Sequence, residues 1–400
     1  MISKFRIGVL VIILNFFASV AMIWGQDNPS LLQMAVPSLN IAPDARGGGM
    51  GDMGAATLPD INSQYWNAAK YAFMGRKAGV SLSYTPWLRK LVNDVALVNM
   101  TGYYKLGNSD LQAISASLRY FSLGEVNIWE NIGDVPYGLN PYEMAFDVAY
   151  SRKLSESYSM AVTLRYIRSD MGTDQNDESN AGNAFSADIS GYLTKEEKEK
   201  YVQNYIEEKY VLMGNAEALW SFGFNLSNIG SKISYDGGNT NQYLPAKLTL
   251  GTGLLYPIDD YNQIGVYLDL NKYMVPYAPQ KEEGETDADY QRVDDYKSWS
   301  SLSGMLKSFT DSPNGLLKEI MVSVGAEYSY NQQFFVRGGY FYENANVGNR
   351  KYFSVGAGFR MSVFQLDAAY LISTVPQNPL DQTLRFSLSF DMDGIKNLFR

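Results

Sequence analysis

The side chains that most often carry out chemistry in proteins are missing from this chain. It has 400 residues but no cysteine and no histidine. Their absence excludes thiol nucleophiles, cysteine-based zinc sites and histidine-dependent triads. A hydrolase would then need carboxylates, a Ser–Lys pair or a bound metal, and no motif of these kinds stands out in the sequence. We therefore predict a protein that is not an enzyme, with no catalytic residues and no cofactor.

Two clusters have residue types that bind ions or phosphates. Asp170, Asp174, Asp177 and Glu178 could bind Ca²⁺, but their spacing does not match an EF-hand, and a solvated external loop is the preferred reading. The glycines between Gly47 and Gly54 follow no predicted strand and lack a Gly-Lys-Ser/Thr ending, so they are not a phosphate-binding loop. The net charge of −9 argues against a nucleic-acid partner.

The elements that must position any site are β-strands. Leu384, Phe386, Leu388 and Phe390 alternate with polar residues, which is the period-two pattern of a strand between two environments. About fourteen segments share this pattern, and a strand of about ten residues crosses a bilayer. We predict an all-β fold, a transmembrane antiparallel β-barrel with an N-terminal plug segment and a few short helices in loops. A large soluble β-sandwich is the alternative.

The chain begins like an exported protein. Lys4 and Arg6 precede an apolar run from Ile7 to Val20, and small or polar residues follow, which is the order of a secretory signal peptide. A membrane anchor helix is the alternative, for which the apolar run is short. We predict a cleaved signal peptide at 1–25, a periplasmic or plug segment at 26–77, the barrel at 78–392 and a periplasmic tail at 393–400, in the outer membrane.

Outer-membrane barrels have short periplasmic turns and long external loops. If the first strand runs outward, the external loops fall at 122–142, 169–183, 229–244 and 272–317. The exception is a periplasmic insertion at 193–215, predicted as a helix because Thr194 and Glu197 have capping-box spacing. Within 272–317, residues 280–289 are expected to be disordered, and 299–309 are expected to form a helix-like stretch packed on the barrel.

Several stretches of the sequence resemble one family. They are Leu39–Gly54, Asn62–Lys70, Phe224–Gly230, Leu244–Gly251 and Asp269–Pro276. Together they resemble the PorV (LptO) family of the type IX secretion system, within the FadL-like barrel superfamily. The resemblance covers essentially the whole mature chain. Trp66, Asn67, Ala68 and Ala69 stand where the family usually has Trp-Asn-Pro-Ala, so the loop there lacks a proline.

The resemblance implies a fourteen-stranded barrel that binds cargo proteins by their C-terminal signal domains and shuttles them to a cell-surface attachment complex. The implied partners are a type IX translocon barrel of the Sov or SprA type, cargo signal domains, a PorU-type sortase complex, and outer-membrane lipid and lipopolysaccharide. A FadL-like channel for hydrophobic small molecules is the alternative, because a fold alone does not fix a function.

Two groups of residues are the candidate sites. The glycine-rich segment before the first strand is predicted to plug the lumen, where Asp44 and Arg46 can pair with Arg165, Glu327, Arg360 or Arg385. The plug candidates are Asp44, Arg46, Gly48, Met50, Gly51, Trp66 and Asn67. The cargo-binding candidates are Tyr273, Val275, Pro276 and Tyr277, read as an exposed apolar patch on the longest external loop. The alternative places these aromatic residues in the lipid-facing girdle.

Overall fold

The protein is represented by a computed structural model, which describes residues 32–87, 94–107, 110–128, 137–173, 179–195, 201–204, 209–212, 218–236, 238, 241–278, 295–313, 315–375 and 380–392. The predicted signal peptide at 1–25 and tail at 393–400 lie outside the described residues. So do Asp174, Asp177 and Glu178 of the acidic loop and residues 280–289. Among the described residues, no helix is both long enough and apolar enough to cross a membrane.

The described chain forms a closed antiparallel barrel of fourteen strands, and the first strand pairs with the last. The predicted fold class is therefore confirmed. The strands are β1 (Ala78–Pro86), β2 (Val95–Leu106), β3 (Gln112–Leu123), β4 (Val126–Ile128), β5 (Tyr137–Leu139), β6 (Tyr142–Lys153), β7 (Tyr158–Thr173), β8 (Ser179–Thr194), β9 (Tyr201–Asn204), β10 (Lys209–Leu212), β11 (Leu219–Gly230), β12 (Lys247–Pro257), β13 (Asn262–Tyr273), β14 (Met321–Tyr330), β15 (Phe334–Tyr342), β16 (Lys351–Met361), β17 (Phe364–Ser373) and β18 (Leu384–Asp391). Two pairs, β4 with β5 and β9 with β10, form small sheets outside the barrel.

Two predicted connections are corrected by the structure. In 193–215, the described residues are the end of β8 with Lys195, and strands β9 and β10, which pair antiparallel, so the helix prediction is wrong for these residues. Tyr, Val and Leu in these two strands favour extended backbone over the helical pattern that the flanking charges suggested. The loop expected at 169–183 is also shorter, because β7 and β8 continue their pairing as far as Thr173 and Ser179.

None of the short helices in the described residues is part of the barrel wall. They are α1 (Ala45–Gly48), α2 (Ser63–Trp66) and α3 (Ser301–Lys307), with 3-10 turns at Pro37–Asn40, Ala68–Phe73 and Leu316–Glu319. Ser300 caps the N-terminus of α3, where its hydroxyl accepts a hydrogen bond from the Ser303 backbone N–H. This helix lies within the segment 299–309 that was predicted to be helix-like.

The alternation of side chains divides the wall into a lipid-facing and a lumen-facing surface. On β1, Val80, Leu82 and Tyr84 are exposed, whereas Ser81 and Ser83 are buried in the lumen. Exposed tyrosines lie near both ends of the strands, such as Tyr84 at one end and Tyr104 at the other, as in interfacial aromatic girdles.

In the turn between β12 and β13, hydrogen bonds from the backbone N–H groups of Tyr261 and Asn262 and from the Asn262 side chain lower the pKa of Asp259.

Residues 32–77 lie in the lumen and extend from one end of it to the other. At the end predicted to be external, Ala35, Val36 and Leu39 pack against Ala145 of β6 and Ile167 of β7. At the opposite end, residues of the 3-10 turn Ala68–Phe73 pack against side chains of β2, β3 and β6 to β8, and the chain then enters β1. We call residues 32–77 the plug.

Candidate functional site: the plugged lumen

The glycine-rich start of the plug folds into a tight turn around one carboxylate. Asp44 caps α1 by accepting a hydrogen bond from the Gly47 backbone N–H at 2.8 Å. Its second oxygen accepts one from Trp66 Nε1 at 2.6 Å. A Cβ at Gly47 would come within 2.5 Å of the Trp66 ring, so glycine is required for this packing. Asp44, the glycines and Trp66 therefore stabilise one local structure.

A buried chain of charges joins the plug to the wall. Arg46 donates to both oxygens of Glu327 on β14, at 3.1 and 2.9 Å. Glu327 also accepts from Arg337 on β15 at 2.6 Å. Arg337 in turn donates to Asp367 on β17 at 2.6 Å. On the plug side, Arg46 contacts Asp60 at 2.6 Å. Because buried charges are costly unless paired, this network holds the plug in one position.

A second ionic contact lies on the opposite side of the glycine turn. Asp52 pairs with Arg385 of β18 and accepts a hydrogen bond from the Tyr352 hydroxyl at 2.5 Å. Nearby, both plug N–H groups of Gly54 and Ala55 donate to Asp269 of β13, at 2.9 and 3.0 Å. The plug is thus tied by side chains of strands β13, β14 and β18, which lie far apart in sequence.

The plug backbone also lies directly against the wall at positions where a side chain would not fit. A Cβ at Gly339 of β15 would overlap the Met50 backbone, and one at Gly223 of β11 would overlap the Ala55 carbonyl. Gly51 has φ +83, the left-handed region that favours glycine, and its Cβ would lie 2.9 Å from the Tyr340 backbone. Glycines on both surfaces therefore permit backbone contact between plug and wall.

All seven plug candidates are placed in the lumen by the structure. Gly48 lies under Arg385, and the Gly51 N–H donates to Ser354 at 2.7 Å. Met50 packs with Met53 and Tyr267. Asn67 Nδ2 bridges the plug and wall, donating to the Ala55 and Gly191 carbonyl oxygens at 2.9 Å each. Of the wall partners proposed from the sequence, Glu327 pairs with Arg46 directly.

The other proposed wall partners have different roles. Arg165 pairs with Asp147 and Asp188 of neighbouring strands at 2.7 and 2.8 Å, so its network stabilises the wall itself. Arg385 pairs with Asp52, which the sequence reading did not single out. Arg360 donates to Gln365 at 2.9 Å. Sequence reasoning also missed Asp269, Arg337 and Asp367, although each lies at a lumen-facing position of its strand.

Two of the cavities among the described residues lie beside the plug. The larger, of about 120 Å³, lies near the start of β1 and is lined by Arg46, Asp60, Arg76 and Tyr103, among others. The smaller, of about 30 Å³, lies beside Tyr65, Lys247 and Arg350. Both volumes are well below the several hundred Å³ of a typical small-molecule site. Beside the described residues of the plug, these two cavities leave little space for a ligand.

The cargo-binding candidates do not form an exposed patch. Tyr273, Val275 and Tyr277 are 6%, 2% and 8% exposed, and Pro276 is also buried. Tyr273 points into the lumen, where it packs with Met321, Phe341, Tyr352 and Leu371. The predicted exposure is therefore wrong, and so is the alternative of a lipid-facing girdle for Tyr273. The alternation along β13 explains the error. Tyr273 lies on the same face of the strand as Gln263, Tyr267 and Asp269, which are buried in the lumen. Cargo contact by these residues stays a prediction.

The acidic loop is described only in part. Asp170 accepts hydrogen bonds from Arg168 at 2.8 Å and from the Gly172 N–H at 3.0 Å. The Asp170 carboxylate therefore already accepts hydrogen bonds from neighbouring residues of β7. In the part of the chain that the structure describes, no three acidic side chains come together as a metal site would require.

Comparison with known proteins assigns the family. A sequence model of the family described as "Type IX secretion system protein PorV" matches residues 25–281, more than half of the chain. The chain belongs to the PorV family. This family membership, together with the transmembrane barrel, makes it an outer-membrane component of the type IX secretion system. A search of curated proteins found no match.

Solved structures with a similar fold are distant in sequence. The toluene transporter TodX of Pseudomonas putida is 9% identical, with 86% of this chain and 96% of that chain covered and a TM-score of 0.49. A FadL homologue of Pseudomonas aeruginosa is 12% identical, with coverages of 90% and 99% and a TM-score of 0.46. The toluene transporter TbuX of Ralstonia pickettii is 13% identical, with coverages of 87% and 96% and a TM-score of 0.42. These likenesses concern the fold alone.

Proposed function

We propose that this PorV-family barrel is a non-enzymatic adaptor. It binds the C-terminal signal domains of cargo proteins at the translocon and shuttles them to the attachment complex at the cell surface. The observation that supports this proposal best is the plug, which extends through the lumen and is held by buried ion pairs. A barrel closed in this way acts through its surface, so cargo binds to it rather than passing through it.

The energetics favour a plug that stays in place. Removing it would break the pairs of Arg46 with Glu327 and of Asp52 with Arg385, which are the buried ion pairs described above between plug and wall. Breaking one buried pair costs about 3–5 kcal/mol. The two contacts together, with the backbone packing at Gly223 and Gly339, oppose spontaneous opening. A channel for small molecules would have to overcome this cost in each transport cycle.

Cargo arrives on the external side, so the external rim of the barrel is the expected contact surface. One part of this rim is raised, because β7 and β8 pair beyond the first residue of β6, Tyr142, which pairs with Asp170. The β4–β5 hairpin lies beside this extension, where Leu139 packs within 3.1 Å of a Cβ built at Gly172. Val126 of this hairpin is exposed. We place cargo contact at this raised rim.

The test is photo-crosslinking in cells that secrete cargo, followed by a pull-down of the tagged barrel and mass spectrometry. A crosslinking amino acid at Val126 should capture cargo through its signal domain. The matched control is Tyr261, which is equally prominent but lies in a periplasmic turn. Capture of cargo from Val126 and not from Tyr261 supports the proposal. Recovery of no secreted cargo from any rim position, with normal barrel levels, would refute it.

A further inference from the structure

Residues 299–313 and 315–319 fold back onto the outside of the barrel, and we call them the outer elbow. Met305 of α3 packs with Ala246 and Met274, against Leu226 of β11 and Leu248 of β12. Leu226 and Leu248 pair across the two strands at their external ends, on the lipid-facing side. Gly304 lies against the Tyr243 ring, where a Cβ would come within 2.7 Å. The elbow is therefore fixed to the outer wall near the external rim.

A buried lysine fixes the other half of the elbow. Lys272 occupies an outward-facing position of β13, following Val266, Leu268 and Leu270 on the lipid-facing side. Its ammonium group donates to Glu319 at 2.5 Å and to the Ser308 carbonyl at 3.1 Å. A lysine in this row would otherwise carry an unpaired charge towards the membrane, which is costly. The elbow covers this charge and pairs it.

The side of the elbow away from the wall carries three highly exposed leucines. Leu302 is 63% exposed, Leu306 71% and Leu317 79%. Leu302 and Leu306 are four residues apart and so lie on one face of α3. Both leucines are more exposed than lipid-facing Phe222 and Leu250, which are each 50% exposed and lie on the strands against which the elbow packs. In water, this patch would be unfavourable.

Aromatic and basic residues border the apolar face. Tyr243, Tyr296 and Trp299 form a row of edge-on ring contacts, with centroids 5.6 and 5.9 Å apart. Lys307 lies 3.5 Å above the Trp299 ring. Burial raises the pKa of Tyr296 to about 12. Tyrosine, tryptophan and lysine next to leucine are the residues that proteins place at the boundary between acyl chains and headgroups.

We propose that the outer elbow is a membrane-interface element that binds lipids of the outer leaflet. Leu302, Leu306 and Leu317 insert among the acyl chains, and Lys307 faces the headgroup phosphates. Lipid is favoured over a protein partner because the apolar face continues the lipid-facing surface of β11 to β13, to which the elbow is attached. The elbow thereby sets the depth and tilt of this side of the barrel.

Because the native chain has no cysteine, single-cysteine labelling tests this proposal cleanly. Leu306→Cys would carry an environment-sensitive fluorophore in nanodiscs of phosphatidylcholine and phosphatidylglycerol. Leu250→Cys is the lipid-facing reference, and Asn241→Cys in an exposed external loop is the aqueous reference. We expect spin-labelled lipid to quench the label at 306 nearly as strongly as at 250, and aqueous iodide to quench it several-fold less than at 241.

Two outcomes would overturn the proposal. Quenching by iodide at 306 equal to that at 241 would place the elbow in water. Shielding of the label only after addition of purified translocon would identify the patch as a protein contact. Glu319→Gln gives an independent readout, because the loss of the Lys272 partner should loosen the elbow and increase iodide quenching at 306 several-fold. An unchanged signal in this variant would contradict the role of the Lys272 pair.

Discussion

Arg46→Met is the substitution that tests the attachment of the plug most sharply. Arg46 makes two hydrogen bonds to Glu327, one to Asp60 and one to the Leu58 carbonyl. Methionine has a similar length but cannot donate any of them. Asp60 loses its ion pair, whereas Glu327 keeps Arg337. Removing one partner of a buried pair costs about 3–5 kcal/mol, and the remaining Arg337 contact puts the expected value near 3 kcal/mol.

Of the Arg46 contacts, only the pair with Glu327 joins plug and wall, because Leu58 and Asp60 belong to the plug. A loss of about 3 kcal/mol in that pair corresponds to about a 150-fold shift towards the released plug. We expect the native barrel to be nearly silent in planar bilayers, and we expect Arg46→Met to show more frequent open events. Asp147→Asn is the matched control, because Asp147 pairs with Arg165 within the wall. It should lower barrel stability without increasing open events. Equal conductance of Arg46→Met and native protein, or equal increases in both variants, would refute the role assigned to Arg46.

Three further predictions concern packing inside the barrel. Gly339→Ala should lower the stability of the folded barrel by about 1–3 kcal/mol, because the added methyl group pushes the plug from the wall. Its neighbour Gly338 should tolerate alanine, because a Cβ there meets nothing within 4 Å. Thermal gel-shift assays of the folded barrel compare the two variants. Tyr273→Ala should lower the stability of the barrel by about 3 kcal/mol through lost packing, and Tyr273→Phe should lower it much less. Reduced cargo capture by the double variant Tyr273→Ala with Tyr277→Ala therefore counts as evidence of cargo contact only if the stability of the barrel is unchanged. Tyr71→Phe removes a hydroxyl that accepts from the Gln64 N–H and donates to the Ile61 carbonyl; it should lower the same melting temperature by the equivalent of about 1–3 kcal/mol.

The barrel itself could be predicted from sequence because each strand carries its own evidence. Alternation along Leu384–Asp391 or Tyr158–Thr173 reports two environments regardless of the partner strands. The side of the membrane on which each connection lies stays a prediction from the connection lengths. The pairing of Arg46 with Glu327 could be suggested, since both must be satisfied in one lumen, but Asp52 with Arg385 could not. Which charge meets which depends on the path of the plug, and local pattern does not encode that path.

The burial of residues at the rim of the barrel was the other feature that the sequence could not predict. Tyr273, Val275 and Tyr277 leave the strand in an apolar run, and the sequence does not distinguish an exposed patch from one covered by the plug and the external loops. Likewise, Lys272 looked like the start of a polar loop. Only the fold shows that it lies on the lipid-facing side and is covered by Glu319 and Ser308. Both errors arise because tertiary contacts, and not local periodicity, decide exposure where a strand ends.

The central claim is that the barrel works with its plug in place, and a disulfide-locked plug tests it most directly. A Cβ at Gly49 would lie 3.5 Å from the Ala369 Cβ on β17, a separation suited to a disulfide. Gly49→Cys with Ala369→Cys would therefore join plug and wall in a chain without other cysteines. We predict that cells carrying the oxidised variant secrete and attach cargo at the native level, with and without reductant. Secretion that stops on oxidation and returns on reduction would contradict the account, because it would require the plug to move.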